Sequence, residues 1–169
     1  MNAGPIGIFD SGVGGTSIWK EIHALMPHED TIYLADSKNA PYGQKTREEI
    51  IKLSVKNTEL LLERGCKLIV VACNTATTNA ISHLRQKYDV PFIGIEPAIK
   101  PAALNSGTGT VGVLATKGTL SSSLFLKTSK DHAGEINIVE RKGAGLVPLI
   151  EAGKLYSSET RQLLIGYIR

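Results

Sequence analysis

Residues 68–77 read LIVVACNTAT, an apolar run that ends in a cysteine followed by small polar residues. The run is short, continuous and rich in β-branched residues, which is typical of a strand buried on both faces. The polar residues after it favour the start of a helix. The stretch therefore predicts a buried strand that leads into a helix, with Cys73 at the junction.

Five other apolar runs recur along the chain and predict strands in the same way. The six runs are Ile6–Phe9, Thr31–Ala35, Leu68–Ala72, Pro91–Ile95, Thr110–Ala115 and Ile136–Val139. Segments with helical spacing separate them, so strand and helix alternate throughout. Because parallel strands need crossover connections, this alternation predicts an α/β fold with a mostly parallel sheet flanked by helices on both faces.

The segment between the second and third runs shows the helical pattern most clearly. We expect its apolar stripe to be formed by Ile50, Leu53, Leu60 and Leu61. The charged residues left for the solvent face are Arg47, Glu48, Lys52, Lys56 and Glu63. Such a stripe predicts an amphipathic helix packed against the sheet.

A proline- and glycine-rich segment, residues 96–109, is the place where the chain is expected to divide. We place the boundary after Pro97, which gives one domain over residues 1–97 and a second over residues 98–169. The last segment, Thr160–Arg169, has helical spacing and then stops without a glycine, a proline or a polar tail. We expect that final helix to be interrupted, although a native terminal helix can also end in this way.

Composition narrows the classes of function. The chain has 169 residues, 42% of them hydrophobic, with a formal charge of +3 and scattered basic residues, so nucleic acid is not the expected partner. No apolar stretch approaches the roughly 20 residues that span a bilayer, and we expect no membrane association and a cytoplasmic protein. The two cysteines have no disulfide-framework or metal-ligand spacing, so free thiols and no metal are expected.

In open parallel sheets, ligands bind beyond the carboxyl ends of the strands. The polar residues found there are Asp10–Gly12, Asp36–Ser37, Cys73–Thr75, Glu96 and Thr116. Residues 10–16 form a glycine-rich turn before a helix, whose free N–H groups could hold an anion such as a carboxylate. A tight turn capped by Asp10 explains the same residues, and neither dinucleotide nor P-loop spacing is present.

The two thiols are expected to differ in role. Cys73 follows a strand and begins a helix, where the helix dipole and backbone amides favour a thiolate that could act as nucleophile or base. An inert buried thiol is the alternative for Cys73, and it is our interpretation of Cys66, which precedes the apolar run. Tyr42 lies in a predicted turn, where it could close over a site or only cover a helix end.

Several motifs together resemble the glutamate racemase family, within the aspartate/glutamate racemase superfamily, in both order and spacing. They are Gly7–Gly15, Ala35–Asp36 with Pro41–Gly43, Ala72–Thr77, Gly94–Pro97 and Ala115–Thr119, with the match continuing to Glu151. The resemblance therefore covers essentially the whole chain, and the chain corresponds to the amino-terminal portion of a family member. It implies two similar α/β domains, of which the second, and the carboxyl-terminal completion of the first, would be truncated here.

The resemblance implies interconversion of L- and D-glutamate without a cofactor, to supply D-glutamate for peptidoglycan and hence cell-wall biogenesis and cell shape. Two cysteines in such enzymes face opposite sides of the substrate α-carbon, and Cys73 matches the first of them, assisted by Asp10. The residues implied to hold the substrate are Ser11, Tyr42, Gly43, Asn74, Thr75, Thr116, Thr119 and, near the second half-site, Glu151. A homodimer is a candidate assembly, although no sequence pattern reports the oligomeric state.

This sequence departs from the family at the second thiol, which the resemblance places in a Gly-Cys-Thr-His segment expected shortly after Arg169. Cys66 is in the wrong place to replace it. We therefore expect the chain alone not to racemise efficiently. The alternatives are an aspartate or hydantoin racemase relative, a non-catalytic module that binds glutamate or a protein, and a nucleotide-binding domain, which the missing phosphate-loop spacing disfavours.

Overall fold

The computed structural model describes residues 4–132 and 136–169 and has α/β architecture. The strands are β1 Ile6–Asp10, β2 Thr31–Ala35, β3 Leu68–Val71, β4 Phe92–Gly94, β5 Thr110–Ala115 and β6 Asn137–Lys142. The helices are α1 Thr16–Leu25, α2 Arg47–Glu63, α3 Asn74–Lys87, α4 Ile99–Asn105, α5 Lys117–Leu120, α6 Ser123–His132, α7 Leu146–Glu151 and α8 Ser158–Ile168. Each strand overlaps one of the predicted apolar runs, and β6 continues beyond its run through the charged residues Glu140, Arg141 and Lys142.

The chain forms two compact units, Met1–Glu96 and Pro97–Arg169. In the first unit, four strands form one sheet in the order β2-β1-β3-β4, and every neighbouring pair is parallel. In the second unit, β5 and β6 form a parallel pair. The prediction of a parallel sheet flanked by helices is therefore confirmed.

The two central strands of the first sheet, β1 and β3, are buried on both faces. Successive side chains of a strand point to opposite sides of the sheet. Ile6 and Ile8 of β1 and Val70 of β3 pack on one side against apolar residues of α1. Phe9 and Val71 have the opposite parity and are fully buried, on the side where α2 and α3 contact the sheet. Helices on both faces leave the carboxyl ends of the strands as the edge at which polar groups gather.

Helix α2 turns a different stripe to the sheet from the one expected. Leu60 is 41% exposed, and the buried positions are Ile50, Ser54, Asn57, Thr58 and Leu61. The prediction for Leu60 was wrong because positions 50, 54, 57 and 61 lie within about 60° of one another on a helix, whereas position 60 is rotated by about 80° from position 50. The face thus includes three polar residues that hydropathy alone assigns to solvent. A capping box between Thr46 and Glu49 sets the start of the helix.

The second unit has its own small core. It is formed by Ile99 of α4, Leu120 of α5, Phe125 of α6 and Ile136, which precedes β6. The final helix, α8, is present as expected and is capped at its start by the Ser157 hydroxyl, which accepts from the Thr160 N–H. Within the described residues, no helix combines the length and apolar character needed to cross a bilayer.

Candidate functional site

Cys73 lies at the carboxyl edge of the first sheet. Strand β3 ends at Val71, and Cys73 is the residue that caps the start of α3. Its backbone is extended, with φ −119° and ψ 115°, and its Sγ accepts from the N–H of Ala76 at 3.4 Å. The thiol therefore occupies the place that a serine or aspartate side chain usually takes at a helix start. The side chain is 7% exposed.

A short hydrogen-bond chain joins this thiol to a carboxylate on the neighbouring strand. The Cys73 Sγ donates to the Ser11 Oγ at 3.4 Å, and the Ser11 hydroxyl donates to the Asp10 Oδ1 at 3.4 Å. The other carboxylate oxygen accepts from the Gly15 N–H at 2.9 Å. Since β1 and β3 are adjacent and parallel, their carboxyl ends bring Asp10 and Cys73 to the same edge. The structure thus links Asp10 to the thiol through Ser11.

The glycine-rich turn is tight because its backbone approaches the sheet closely. A Cβ atom on Gly15 would lie 2.7 Å from the Cβ of Asp10, 2.8 Å from the Oη of Tyr33 and 2.9 Å from the Cβ of Ala72. These distances are shorter than van der Waals contacts allow, so glycine is required here. The close approach is what aims the Gly15 N–H at Asp10.

The ionisation of Cys73 differs from the expectation of a favoured thiolate. Burial, and then the nearby negative charge of Asp10, raise the pKa of Cys73 from its ordinary value of 9.0 to about 11. Hydrogen bonds from Ser11 and from the Ala76 N–H act in the opposite direction and are outweighed. The prediction was wrong because a helix start is a local feature, whereas desolvation and the approach of Asp10 depend on the tertiary fold. At neutral pH the free protein carries a neutral thiol.

Tyr42 is buried, with 1% of its surface exposed, in the 3₁₀ turn Tyr42–Gln44. Its hydroxyl donates to the Asp36 Oδ2 at 2.5 Å and accepts from the Asn57 Nδ2 at 3.0 Å. Burial and the hydrogen bond to Asp36 raise the pKa of Tyr42 above its ordinary value, and the charge of Cys73 acts in the same direction. The ring is therefore close enough to the thiol to sense its charge, while its hydroxyl is committed to two protein groups.

The remaining residues expected around Cys73 lie on α3 and in the 3₁₀ turn of Tyr42. Asn74 is the exposed first residue of α3, and Thr75 is buried in the first turn. Gly43 is half-buried in the turn that contains Tyr42. Asn57 on α2 was not among the predicted site residues. The sequence does carry a signal for its burial, because Asn57 lies close in helical phase to Ile50, in the middle of a buried face.

Three expected site residues belong to the second unit. Thr116 caps α5 at the carboxyl end of β5, and its Oγ1 accepts from the Thr119 N–H at 3.3 Å and lies 3.2 Å from the Thr119 Oγ1. Glu151 is half-buried at the end of α7. The structure thus brings Thr116 and Thr119 together within their own unit.

Cys66 is also buried, at 5% exposure, and burial raises the pKa of its thiol. It lies before β3, at the opposite end of the strand from Cys73, so the two thiols are separated by roughly 20 Å of extended chain. A Cβ on Gly7 would lie 2.8 Å from its Sγ, which shows how closely the sheet packs on it. Among the described residues, no group of three or more His, Cys, Asp or Glu side chains could hold a metal ion.

Comparisons with known proteins agree on one family. The sequence model of the Asp/Glu/Hydantoin racemase family matches residues 14–169. The chain is 50% identical to a glutamate racemase of Herpetosiphon aurantiacus, over 99% of this chain and 66% of that protein. It is 48% identical to one of Cupriavidus pinatubonensis, over 99% of this chain and 62% of that protein. The chain therefore spans slightly less than two thirds of the length of these relatives.

Solved structures give the same result. The chain is similar to Escherichia coli glutamate racemase, solved in complex with L-glutamate and the activator UDP-MurNAc-ala, with 39% identity and a TM-score of 0.87 over 98% of this chain and 65% of that one. It is also similar to the Francisella tularensis glutamate racemase solved with D-glutamate, with 29% identity and a TM-score of 0.84 over 99% of this chain and 63% of that one. The chain belongs to the Asp/Glu/Hydantoin racemase family.

Proposed function

We propose that this chain carries one half-site of a cofactor-independent glutamate racemase, in which the Cys73 thiol exchanges a proton with the α-carbon of glutamate. The observation that carries the proposal is the chain of hydrogen bonds from the Cys73 Sγ through Ser11 to Asp10. It places a proton donor, a hydroxyl that can accept or donate, and a carboxylate in series at the ligand-binding edge of a parallel sheet. The names of the relatives support glutamate as the substrate.

Because the pKa of Cys73 is raised to about 11, the thiol needs help from the bound substrate to ionise near neutral pH. The neutral thiol can give a proton to a carbanionic α-carbon, but it removes one only after it has ionised. An amino-acid ammonium group bound beside Asp10 would offset the charge that disfavours the thiolate. The Ala76 N–H would then stabilise the anion, as would the Ser11 hydroxyl once its proton turned from Asp10 to the Cys73 Sγ. We therefore propose that the substrate itself brings Cys73 towards the reactive form.

Donors suited to the substrate's carboxylates surround the thiol in the first unit. The first N–H groups of a helical turn have no partner within that turn, so the turn at Tyr42 and Gly43 and the start of α3 at Asn74 offer such donors. We assign Thr75 to the same substrate from its place in the family motif alone. Because the Tyr42 hydroxyl is committed to Asp36 and Asn57, we assign substrate contact to the backbone of its turn. The substrate-binding roles of Thr116, Thr119 and Glu151, which belong to the second unit, stay predictions.

Racemisation requires proton transfer on both faces of the α-carbon, and the proposal assigns one face to Cys73. Cys66 cannot serve the other face, because it is buried at the far end of β3. We therefore propose that this chain alone does not racemise efficiently. We also propose that the two units correspond to the first racemase domain and part of the second, and that the product is D-glutamate for peptidoglycan synthesis in the cytoplasm. A homodimer stays a prediction.

The sharpest test of the substrate class is an NMR titration of the ¹⁵N-labelled chain with D-glutamate, L-glutamate, D-aspartate and hydantoin. We expect saturable shifts of the Ser11, Gly43, Asn74 and Thr75 amides with glutamate, and weaker binding of the shorter aspartate. A preference for aspartate or hydantoin would favour those racemase relatives. Saturable glutamate binding without any exchange of the α-proton would favour a non-catalytic binding module, and the absence of binding by all four compounds would contradict the proposal.

A further inference from the structure

Asn57 is an amide buried where an apolar residue would be expected. It lies on the stripe of α2 that faces the sheet and is 2% exposed. Burying an amide is costly unless it is hydrogen-bonded. Its Nδ2 donates to the Tyr42 Oη at 3.0 Å, across a separation of fifteen residues. The amide is thus directed at the buried hydroxyl of the turn that contacts α3, the helix that Cys73 caps.

The other partners of Tyr42 explain why an amide donor is needed at this position. The single hydroxyl proton of Tyr42 is committed to the Asp36 Oδ2 at 2.5 Å. The second oxygen of that carboxylate accepts from the Asn39 Nδ2 at 2.8 Å, which holds Asp36 in place. A further bond to the Tyr42 oxygen must therefore come from a donor, and an apolar or acceptor-only side chain at position 57 cannot supply it. The phenol is held from both sides.

We propose that Asn57 is a positioning residue of the candidate site, which sets through Tyr42 where the Tyr42–Gly43 turn stands beside Cys73. The hydrogen bonds from Asn57 to Tyr42 and from Tyr42 to Asp36 are seen in the structure. The effect of Asn57 on substrate binding rests on the proposed function, in which the backbone donors of the Tyr42–Gly43 turn contact the substrate. Asn57 acts through Tyr42 and touches no reacting atom.

The chain offers a matched control, a buried polar residue on the same helix. Thr58 is fully buried beside Asn57, but its hydroxyl donates to the backbone oxygen of Ser54 at 2.8 Å, within α2 itself. Asn57→Leu keeps the branched shape and removes the donor. Asn57→Ala removes the donor by truncation, so that one variant can replace the other if it fails to fold. Thr58→Val removes a buried hydrogen bond of similar standing without touching Tyr42.

The first readout is independent of activity. In ¹H–¹⁵N spectra of the full 169-residue chain, either Asn57 variant should shift the amides of Tyr42 and Gly43, whereas Thr58→Val should leave them in place. In a Tyr42→Phe background the Asn57 variants should cause no further shift, because the group through which they act is gone. Equal shifts from Thr58→Val, or unchanged Tyr42 and Gly43 amides in the Asn57 variants, would overturn the proposal.

The second readout is the affinity for D- and L-glutamate, measured by titration of the same variants. Asn57→Leu should weaken glutamate binding by about two- to tenfold, the usual worth of one hydrogen bond. Thr58→Val should not weaken it, and the double variant with Tyr42→Phe should lose no more than Tyr42→Phe alone. Additive losses would overturn the positioning role. Failure of the wild-type chain to bind glutamate would instead contradict the proposed function, and the amide shifts would still decide the role of Asn57.

Discussion

Replacement of Asp10 by asparagine should make Cys73 more reactive, although it removes a residue of the candidate site. The wild-type thiol has a pKa of about 11 because it is buried and because Asp10 repels the thiolate. At pH 8 about one molecule in a thousand is then ionised, against about one in ten for an ordinary thiol of pKa 9.0. Since the thiolate is the nucleophile, wild-type Cys73 should react about a hundredfold more slowly than an ordinary thiol.

In Asp10→Asn the like charge is gone, and the amide oxygen can still accept from the Gly15 N–H. A like charge at this range typically raises a pKa by about one or more, so labelling of Cys73 at pH 8 should become about tenfold faster. The assay is the rate of iodoacetamide labelling between pH 7 and 11, resolved for Cys73 and Cys66 separately by peptide mass spectrometry. Asp89→Asn, at an exposed position, is the control and should change nothing.

Two results would contradict the expected effect of Asp10 on the thiol. A wild-type Cys73 that labels with an apparent pKa near 8 would mean that the helix start outweighs burial and the Asp10 charge. A labelling rate that Asp10→Asn leaves unchanged or lowers would mean that Asp10 does not disfavour the thiolate. Solvent access is controlled by repeating the measurement at pH 11, where about half of the wild-type thiol is ionised and the variants should approach one another.

Three further outcomes are expected. Because the folded-state pKa of Cys73 is raised to about 11, the contribution of the thiol to stability is present below pH 9 and is lost as the pH rises towards 11. In urea unfolding, the free energy of unfolding should therefore fall less between pH 9 and 11 in Cys73→Ala than in the wild type. Tyr42→Phe should lower the free energy of unfolding by about 1–3 kcal/mol, because Asp36 and Asn57 each lose a hydrogen bond to the phenol. Tyr156→Phe, at a fully exposed position, should lower it by less than about 0.5 kcal/mol, and equal losses would contradict the buried hydrogen bonds of Tyr42. Gly15→Ala should lower the free energy of unfolding by about 1–3 kcal/mol through steric overlap, measured by thermal or urea unfolding. Gly166→Ala, in open space on α8, should be neutral or stabilising. Unchanged stability of Gly15→Ala would contradict the close approach of the Gly15 backbone to the sheet.

The strands and their parallel arrangement could be predicted from the sequence because each strand overlaps an apolar run that is followed by polar residues. In β6 the run is short, and the strand continues through Glu140, Arg141 and Lys142. The run at 68–77 became β3 and the start of α3, with Cys73 at the junction, as predicted. Such runs are local signals, and the alternation with helices leaves little choice of topology. The stripe of α2 was harder to predict, since Leu60 is apolar and Asn57 is polar. Hydropathy gives the phase of a helix poorly when the buried face carries hydrogen-bonding groups.

The site was predictable in its location and less so in its chemistry. Polar residues after β1 and β3 meet at one edge, as parallel strands require. The ionisation of Cys73 was not predictable, because it depends on how deeply α3 buries the thiol and how near Asp10 comes. The partnership of Tyr42 with Asn57 joins two elements fifteen residues apart, and no periodicity in the sequence reports it. Local rules therefore predict which polar residues meet at this edge, whereas tertiary contacts set the pKa of Cys73.

The central claim is that Cys73 transfers the α-proton of glutamate, and the most direct measurement is the exchange of that proton for deuterium. ¹H NMR in deuterated water would follow D-glutamate and L-glutamate separately with the wild-type chain, Cys73→Ala and, as the control thiol, Cys66→Ala. We expect exchange of one enantiomer by the wild type and by Cys66→Ala, and none by Cys73→Ala. Exchange that persists in Cys73→Ala, or no exchange by the wild-type chain, would contradict the claim.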